Sequence, residues 1–251
     1  MIENSNPKIK IYQTFHKPFH HNPDCNWVQP VGVNGYCAPG VQADSDGQNI
    51  SALNPYYNEL TAYYWVWKNS TADTVGFYHY RRYLNYVIDE TWKYGTTVGL
   101  PADENIVGYL THAAQYDRLN RILNVCDVVV PKKSASDRSI EEHYLHHHEH
   151  GPWKAFVAAL ESRYPQYHDH IDVLRLSCIT SICNIFVMKR PLFNQYCTEL
   201  FSVIDPIFAE FGPRYDSYNN RYPGFLAERF LGFWLHIRQL RSFEAPLIQL
   251  L

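Results

Sequence analysis

The sequence predicts an α/β fold in which helices cover a sheet of short, buried strands. Three observations carry this. Lys8 to Phe15 (KIKIYQTF) alternates in strand fashion. Leu53, Tyr56, Leu60, Tyr63, Tyr64 and Trp67 recur at helical spacing. Cys126 to Pro131 and Ile179 to Met188 are short apolar runs set between longer helical stretches. That alternation is the pattern of a layered sheet. With 251 residues, 46% hydrophobic and 19% charged, the chain reads as globular and fits one domain over 1–251.

The elements follow in order. Lys8 to Phe15 opens the sheet. His16 to Asp46, rich in Pro, Gly, Asn and Asp, reads as one long loop. Asn54 caps and Pro55 starts a helix that runs to Lys68. Val75 to Tyr80 is the second strand, Asp103 to Leu123 one or two helices, and Cys126 to Pro131 a third strand. Ser139 to Tyr164 is helical, with histidines clustered near its start. Ile179 to Met188 is another strand, and a helix from Pro191 to about Phe211 follows. Arg214 to Tyr222 is a polar loop before the last helix, Gly224 to Arg241.

Composition excludes several classes. The net charge of −3 gives no basic excess for a general nucleic-acid binder. Cysteines at 25, 37, 126, 178, 183 and 197 show no C-x-x-C spacing and read as reduced, mostly buried thiols of a cytoplasmic protein. Met1 to Pro7 lacks the basic-then-apolar pattern of a signal peptide, and the apolar runs are too short to span a membrane.

The segment His79-Tyr80-Arg81-Arg82-Tyr83 ends a buried-type strand. In open α/β sheets ligands bind beyond the carboxyl ends of strands, and two guanidinium groups there suit a diphosphate. A structural ion-pair cluster is the bland alternative. Asp44-Ser45-Asp46 reads either as a divalent-metal ligand pair or as a plain turn. In the cluster of His143 and His146 to His150, His143 and His147 share a helix face and could bind zinc, but a solvated helix start is the favoured reading. Asn184 is the one polar side chain in an apolar run, either a satisfied core amide or a substrate contact. Glu228, near the start of the last helix, is favoured there electrostatically or serves as a general base.

In order along the chain, His16-Lys17-Pro18, Gly47-Gln48-Asn49-Ile50-Ser51, Tyr57-Asn58-Glu59-Leu60-Thr61, His79-Tyr80-Arg81-Arg82-Tyr83, Asn184-Ile185-Phe186-Val187-Met188-Lys189 and Gly224-Phe225-Leu226-Ala227-Glu228-Arg229 resemble the blocks of a bacterial family of capsule and O-antigen glycosyltransferases long described only as a domain of unknown function. The resemblance runs from about residue 8 to 236. Gln48 departs from the acidic residue expected there, so that position is assigned no metal. The block order also resembles a GT-A-like fold, a single nucleotide-binding sheet flanked by helices with helical additions. His79-Tyr80-Arg81-Arg82 stands where many such enzymes carry Asp-x-Asp.

The resemblance implies a sugar transferase. Its donor is a nucleotide-diphosphate hexose, UDP-linked, with galactofuranose one candidate. Its acceptor is a glycan or lipid-linked glycan. The expected place is the cytoplasm, peripheral to the inner membrane face. Glu228, Arg81 and Arg82 are the expected catalytic residues. His16, Lys17, Asn49, Ser51, Glu59, His79, Tyr83, Asn184 and Arg229 are the expected donor contacts, with packing the alternative for Tyr83. No cofactor is expected to be required, a divalent Mn or Mg ion being the alternative. A non-catalytic carbohydrate-binding subunit and a metal-dependent hydrolase are the rival readings.

Overall fold

The computed structural model describes residues 8–88, 96–181 and 183–251; the expectation for Met1 to Pro7 lies outside them. The predicted α/β class holds: a mostly parallel central sheet is flanked by helices. β1 (Ile9–Phe15) matches the first predicted strand. The expected long loop is wrong in part, because it contains β2 (Val28–Gly32) and β3 (Gln42–Ala43), which extend the sheet in parallel from β1. Their few buried apolar side chains, Val28, Val31 and the flanking Trp27 and Val33, sit among Pro and Gly that masked the period.

The helix expected over Asn54 to Lys68 is two helices, α1 (Asn54–Tyr57) and α2 (Leu60–Asn69). They part at Asn58, whose φ of 52° and ψ of −132° leave the helical region. β4 (Thr74–His79) lies beside β1 in parallel, and β5 (Arg82–Leu84) turns back from it. β6 (Thr97–Leu100), α3 (Glu104–Leu110) and α4 (Ala113–Leu123) follow, then β7 (Val128–Pro131) and β8 (Ser134–Ala135).

The expected helix from Ser139 is α5 (Ile140–His147) and α6 (His150–Arg163). Ser139 starts α5 with a full capping box: its side chain accepts from Glu142 N, while the Glu142 carboxylate accepts from Ser139 N at 2.9 Å. α7 (His168–Leu176) comes next. The strand expected over Ile179 to Met188 is split into β9 (Ile179–Thr180), which pairs with β8, and β10 (Phe186–Lys189). α8 (Arg190–Phe211) and α9 (Tyr222–Ile237) are the two longest helices among the described residues. Two further strands, β11 (Ser242–Ala245) and β12 (Leu247–Leu250), follow the last expected helix, where no element was predicted.

The main strand order is β11-β7-β10-β4-β1-β2-β3, with β12, β5 and β6 joined beside β4. β10 runs antiparallel to both its neighbours, so its first residues lie at the end where β4 and β7 finish. Side chains divide by strand period. Tyr12, Phe77, Val128, Val130, Phe186 and Met188 face the core beneath α2, α8 and α9. Ile11, Tyr78, Val129 and Val187 face the core built with α3 and α4. Burying a side chain such as Phe77, 1% exposed, contributes about 1.5–3 kcal/mol. Arg190 ties α8 to α2: its guanidinium donates to Val66 O at 3.3 Å, Ala72 O at 2.8 Å and Ser70 Oγ at 2.8 Å, satisfying carbonyls at the end of α2.

Candidate functional site

The site is built on the turn from β4 to β5. His79 pairs with Arg82, leaving Tyr80 and Arg81 as the two turn residues. The turn backbone is fixed from two sides. Buried Gln13 of β1 donates to His79 O at 3.3 Å and Tyr80 O at 3.4 Å, and Leu250 N donates to Arg81 O at 2.8 Å. The buried Tyr80 ring then gathers cations. Lys17 Nζ lies 5.4 Å and the Arg81 guanidinium 5.7 Å from its centroid, and the His16 ring meets it edge-on at 4.8 Å. The His79 ring lies 4.2 Å away.

This crowding has an electrostatic signature. Burial, then Arg82, His16, Arg81 and Arg221, push the His79 imidazole down to about 3. Burial, Lys17, Arg221 and Arg81 lower His16 as well. Both rings therefore stay neutral at pH 7 beside the guanidinium groups of Arg81, Arg82 and Arg221. His79 Nδ1, Arg81 Nε and Arg82 Nε are buried without a hydrogen-bond partner among the described residues. Fixed, unpaired donors in a positive cleft suit a multiply charged oxyanion.

The facing wall comes from three elements. Asn184, in the bend before β10, donates through Nδ2 to Glu59 Oε1 at 2.8 Å and to Gly224 O at 3.2 Å. Those bonds fix the amide and leave its buried Oδ1 as an open acceptor. Tyr63 Oη donates to Asn184 O at 2.6 Å and holds the bend from below. Asn58, between α1 and α2, accepts from Arg221 Nε at 2.6 Å. Gly224 at the start of α9 leaves room for the Asn58 amide, which a Cβ there would displace. Asn58 thus holds a backbone conformation rare for a residue with a side chain, and the strain places its amide to aim Arg221.

Glu228 completes the cleft from the next turn of α9. Its side chain keeps 16% of its surface open, and Arg229 Nη1 donates to it at 2.7 Å. Burial drives the Glu228 carboxyl up to about 7. Glu59 adds to the rise, while Arg229, Arg82 and Arg221 oppose it. Arg229 is itself 3% exposed and held by Phe225 O at 2.9 Å and His143 Nδ1 at 3.4 Å. A carboxylate whose proton equilibrium lies near neutrality, facing a cationic cleft, is placed for general-base work.

Residues 10–239 match the family described as a domain of unknown function, DUF4422. The chain belongs to that family. Among solved structures it is similar to one described as the apo structure of the WbbM bifunctional glycosyltransferase, with a TM-score of 0.84 and 29% identity over 96% of this chain. The match covers 45% of that protein, so this DUF4422 chain spans less than half its length. None of the curated proteins compared with the chain matches it.

Of the residues expected from sequence, His16, Lys17, Glu59, His79, Arg81, Arg82, Asn184 and Glu228 come together in the DUF4422 cleft. Arg229 lies behind Glu228 as its ion-pair partner and not among the turn cations. Three others lie apart from these contacts. Asn49 and Ser51 are spent on a local turn: Asn49 Oδ1 accepts from Ser51 N at 3.2 Å and Oγ at 2.9 Å, and Asn49 Nδ2 donates to Ser45 O at 2.6 Å. The adjoining Gln48 N bonds Asn69 at the far end of α2 from Glu59, about 15 Å along the helix axis. Tyr83 is fully buried with its ring 5.2 Å from Tyr78, in the core beneath the turn.

The metal candidates are engaged elsewhere. Asp44 is buried and accepts from Thr61 Oγ1 at 2.6 Å, while Asp46 accepts from Gln42. Among the described residues no group of three or more His, Cys, Asp or Glu is arranged to hold a metal ion. His143 and His147 do pair at 4.7 Å, but His143 faces Arg229 and His148 stacks on Phe225 at 4.1 Å. All six cysteines are free. Cys183 and Cys197 are buried, whereas Cys37 and Cys178 are exposed, so burial is less general than expected. Sequence reasoning missed Arg221 and Asn58. Their signal was position: Arg221 directly precedes a helix opened by Tyr-Pro-Gly, and Asn58 interrupts a helical period.

Proposed function

We propose that this chain is a glycosyltransferase that moves a hexose from a nucleoside diphosphate donor to a glycan acceptor. The observation that carries the reading is the cleft itself. Arg81, Arg82 and Arg221 converge with two neutral histidines beyond the carboxyl ends of β1 and β4, opposite Glu228. The likeness to a glycosyltransferase supports the same reading, as does a sheet that fits a single GT-A-like domain.

In this mechanism the donor diphosphate lies against Arg81 and Arg82, with Arg221 the third cation. Asn184 Oδ1 accepts a hydrogen bond from a sugar hydroxyl. The acceptor oxygen attacks the anomeric carbon and Glu228 takes its proton. The bond from that carbon to the phosphate oxygen breaks, and its electron pair stays on the departing nucleoside diphosphate. The guanidinium groups stabilise that growing charge, a role a divalent ion fills in many transferases. Direct displacement inverts configuration. We assign a UDP-linked hexose as donor, galactofuranose among the candidates, and surface polysaccharide assembly at the cytoplasmic membrane face as the setting. No described helix is long and apolar enough to cross a membrane.

The test is a panel of UDP-hexoses incubated with purified protein and glycan acceptors, with and without EDTA. Transfer that persists in EDTA is expected. UDP should also raise the melting temperature, since a ligand selective for the native state stabilises it. Sugar transfer from no donor, together with no UDP binding, removes the proposal.

A further inference from the structure

A second cavity, of about 350 Å³, lies between α5, α7, the later turns of α9 and the β8–β9 hairpin. That volume is in the range of small-molecule sites, roughly 300–1,000 Å³. Leu174, Leu235 and Leu240 make its aliphatic wall, and Val173 and Ile179, 52% and 60% exposed, stand at its rim. Its polar members are Lys133, His170, His236 and Arg229, together with the neutral Ser177, Thr180, Ser181, Gln239 and Ser242. No Asp or Glu lines it. The His170 and His236 rings lie 5.0 Å apart, and Lys133 is anchored by Glu244 at 3.4 Å. Arg229, 3% exposed, keeps a buried Nε with no partner. Gly232 lies in the lining with open space where a side chain would begin.

We infer that this cavity binds an anionic amphiphile, an aliphatic chain carrying a phosphate, as the lipid-linked end of the acceptor. The assignment of the occupant as an acceptor rests on the glycosyltransferase reading. The chemistry of the walls sets the class. A mostly aliphatic apolar surface, with Phe233 its only Phe, Tyr or Trp, suits a hydrocarbon chain better than a sugar ring. Lys133, shared with Glu244, and the two imidazoles, with the Ser and Thr hydroxyls beside them, can donate to a phosphate. Continuity places it: Arg229, at the inner end, donates to Glu228 at 2.7 Å, so the cavity closes one side chain away from the proposed base. An amphiphile seated here has its polar end directed at the reaction cleft, and its chain leaves past Val173 and Ile179.

The experiment measures binding to the whole protein by calorimetry, with decyl phosphate below its micelle concentration. Decyl maltoside supplies the chain without the charge, and inorganic phosphate the charge without the chain. Decyl phosphate is expected to bind saturably and at least about tenfold more tightly than either. Gly232→Phe, which puts a ring in the cavity from a position where a Cβ meets nothing within 4 Å, should abolish that binding and leave UDP affinity unchanged. A Lys133→Ala/His236→Ala double variant, which leaves the cavity open, should weaken decyl phosphate about tenfold and leave decyl maltoside as it was. The inference is overturned if decyl phosphate binds no better than decyl maltoside, or if either variant binds it as the native protein does. It is also overturned if its affinity follows Arg81→Ala, which would put the phosphate in the first cleft. None of these readings uses turnover. A protein that binds decyl phosphate here and transfers no sugar keeps the amphiphile site and loses the reaction and with it the acceptor assignment.

Discussion

Asn184 donates to Glu59 across 2.8 Å and to Gly224 O across 3.2 Å, so one amide joins the start of α2, the bend before β10 and the start of α9. Asn184→Asp sets a second carboxylate beside Glu59 and removes the donor. Breaking such a buried hydrogen bond costs about 1–3 kcal/mol. Glu59→Gln in the same chain should restore part of the loss, because the repulsion goes. A double-mutant cycle on thermal stability and UDP affinity measures the coupling, and additive effects would refute the link.

Arg81→Ala and Arg82→Ala each remove a fixed donor from the proposed diphosphate site. Turnover is expected to drop about 100- to 1,000-fold. Lys at either position should recover only part, since it lacks the planar fork. If the two residues merely brace the turn, melting temperature and activity will fall together instead.

Glu228, held near 7, makes activity depend on pH in a set direction. Below that value the carboxyl is protonated and takes no proton from the acceptor, so kcat/KM should rise as pH climbs through about 7. Glu228→Gln should lower turnover by roughly 100- to 10,000-fold and flatten that limb of the profile, with UDP affinity largely kept. An unchanged pH profile in the variant would rule Glu228 out as the base.

Arg221 depresses both His16 and His79. Arg221→Ala should therefore raise the His16 imidazole toward its ordinary value, read from its ring proton shifts by NMR titration. UDP affinity should weaken as well. Asn58→Gly relieves the positive φ yet removes the oxygen that aims Arg221. Its stability should stay within about 1 kcal/mol of the native chain, and it should bind UDP more weakly. Unaltered UDP affinity would leave Asn58 a purely structural residue.

The legible parts of the chain were those governed by local period or local charge. β1, β4 and β7 showed in their apolar runs, and the turn cations of residues 79–82 in the abrupt change at the end of a buried strand. Illegible parts depended on distant partners. β2 and β3 carry few apolar residues and exist because β1 offers them an edge. β11 and β12 are four residues each, too short for a period to show. Asn184 stood out as polar in an apolar run, but its escape from β10 is set by Glu59, 125 positions away. Tyr83 and Asn49 were misplaced because neighbours in sequence need not face the same space. A tyrosine one step beyond an arginine in a strand turns to the opposite side.

The last strands also govern how the chain acquires its shape. Ser242 pairs with Val128 and Leu247 with Leu84, so the sheet closes only through pairings between segments far apart in sequence. High contact order of this kind slows folding, because loop entropy is lost before the pairing is gained. Until residues 242–250 dock, β7 presents an unpaired edge of Val128, Val129 and Val130, a ready template for another nascent chain. Proteolysis after α9 recreates that edge in the mature protein, so a nicked population should aggregate rather than persist as a smaller soluble form.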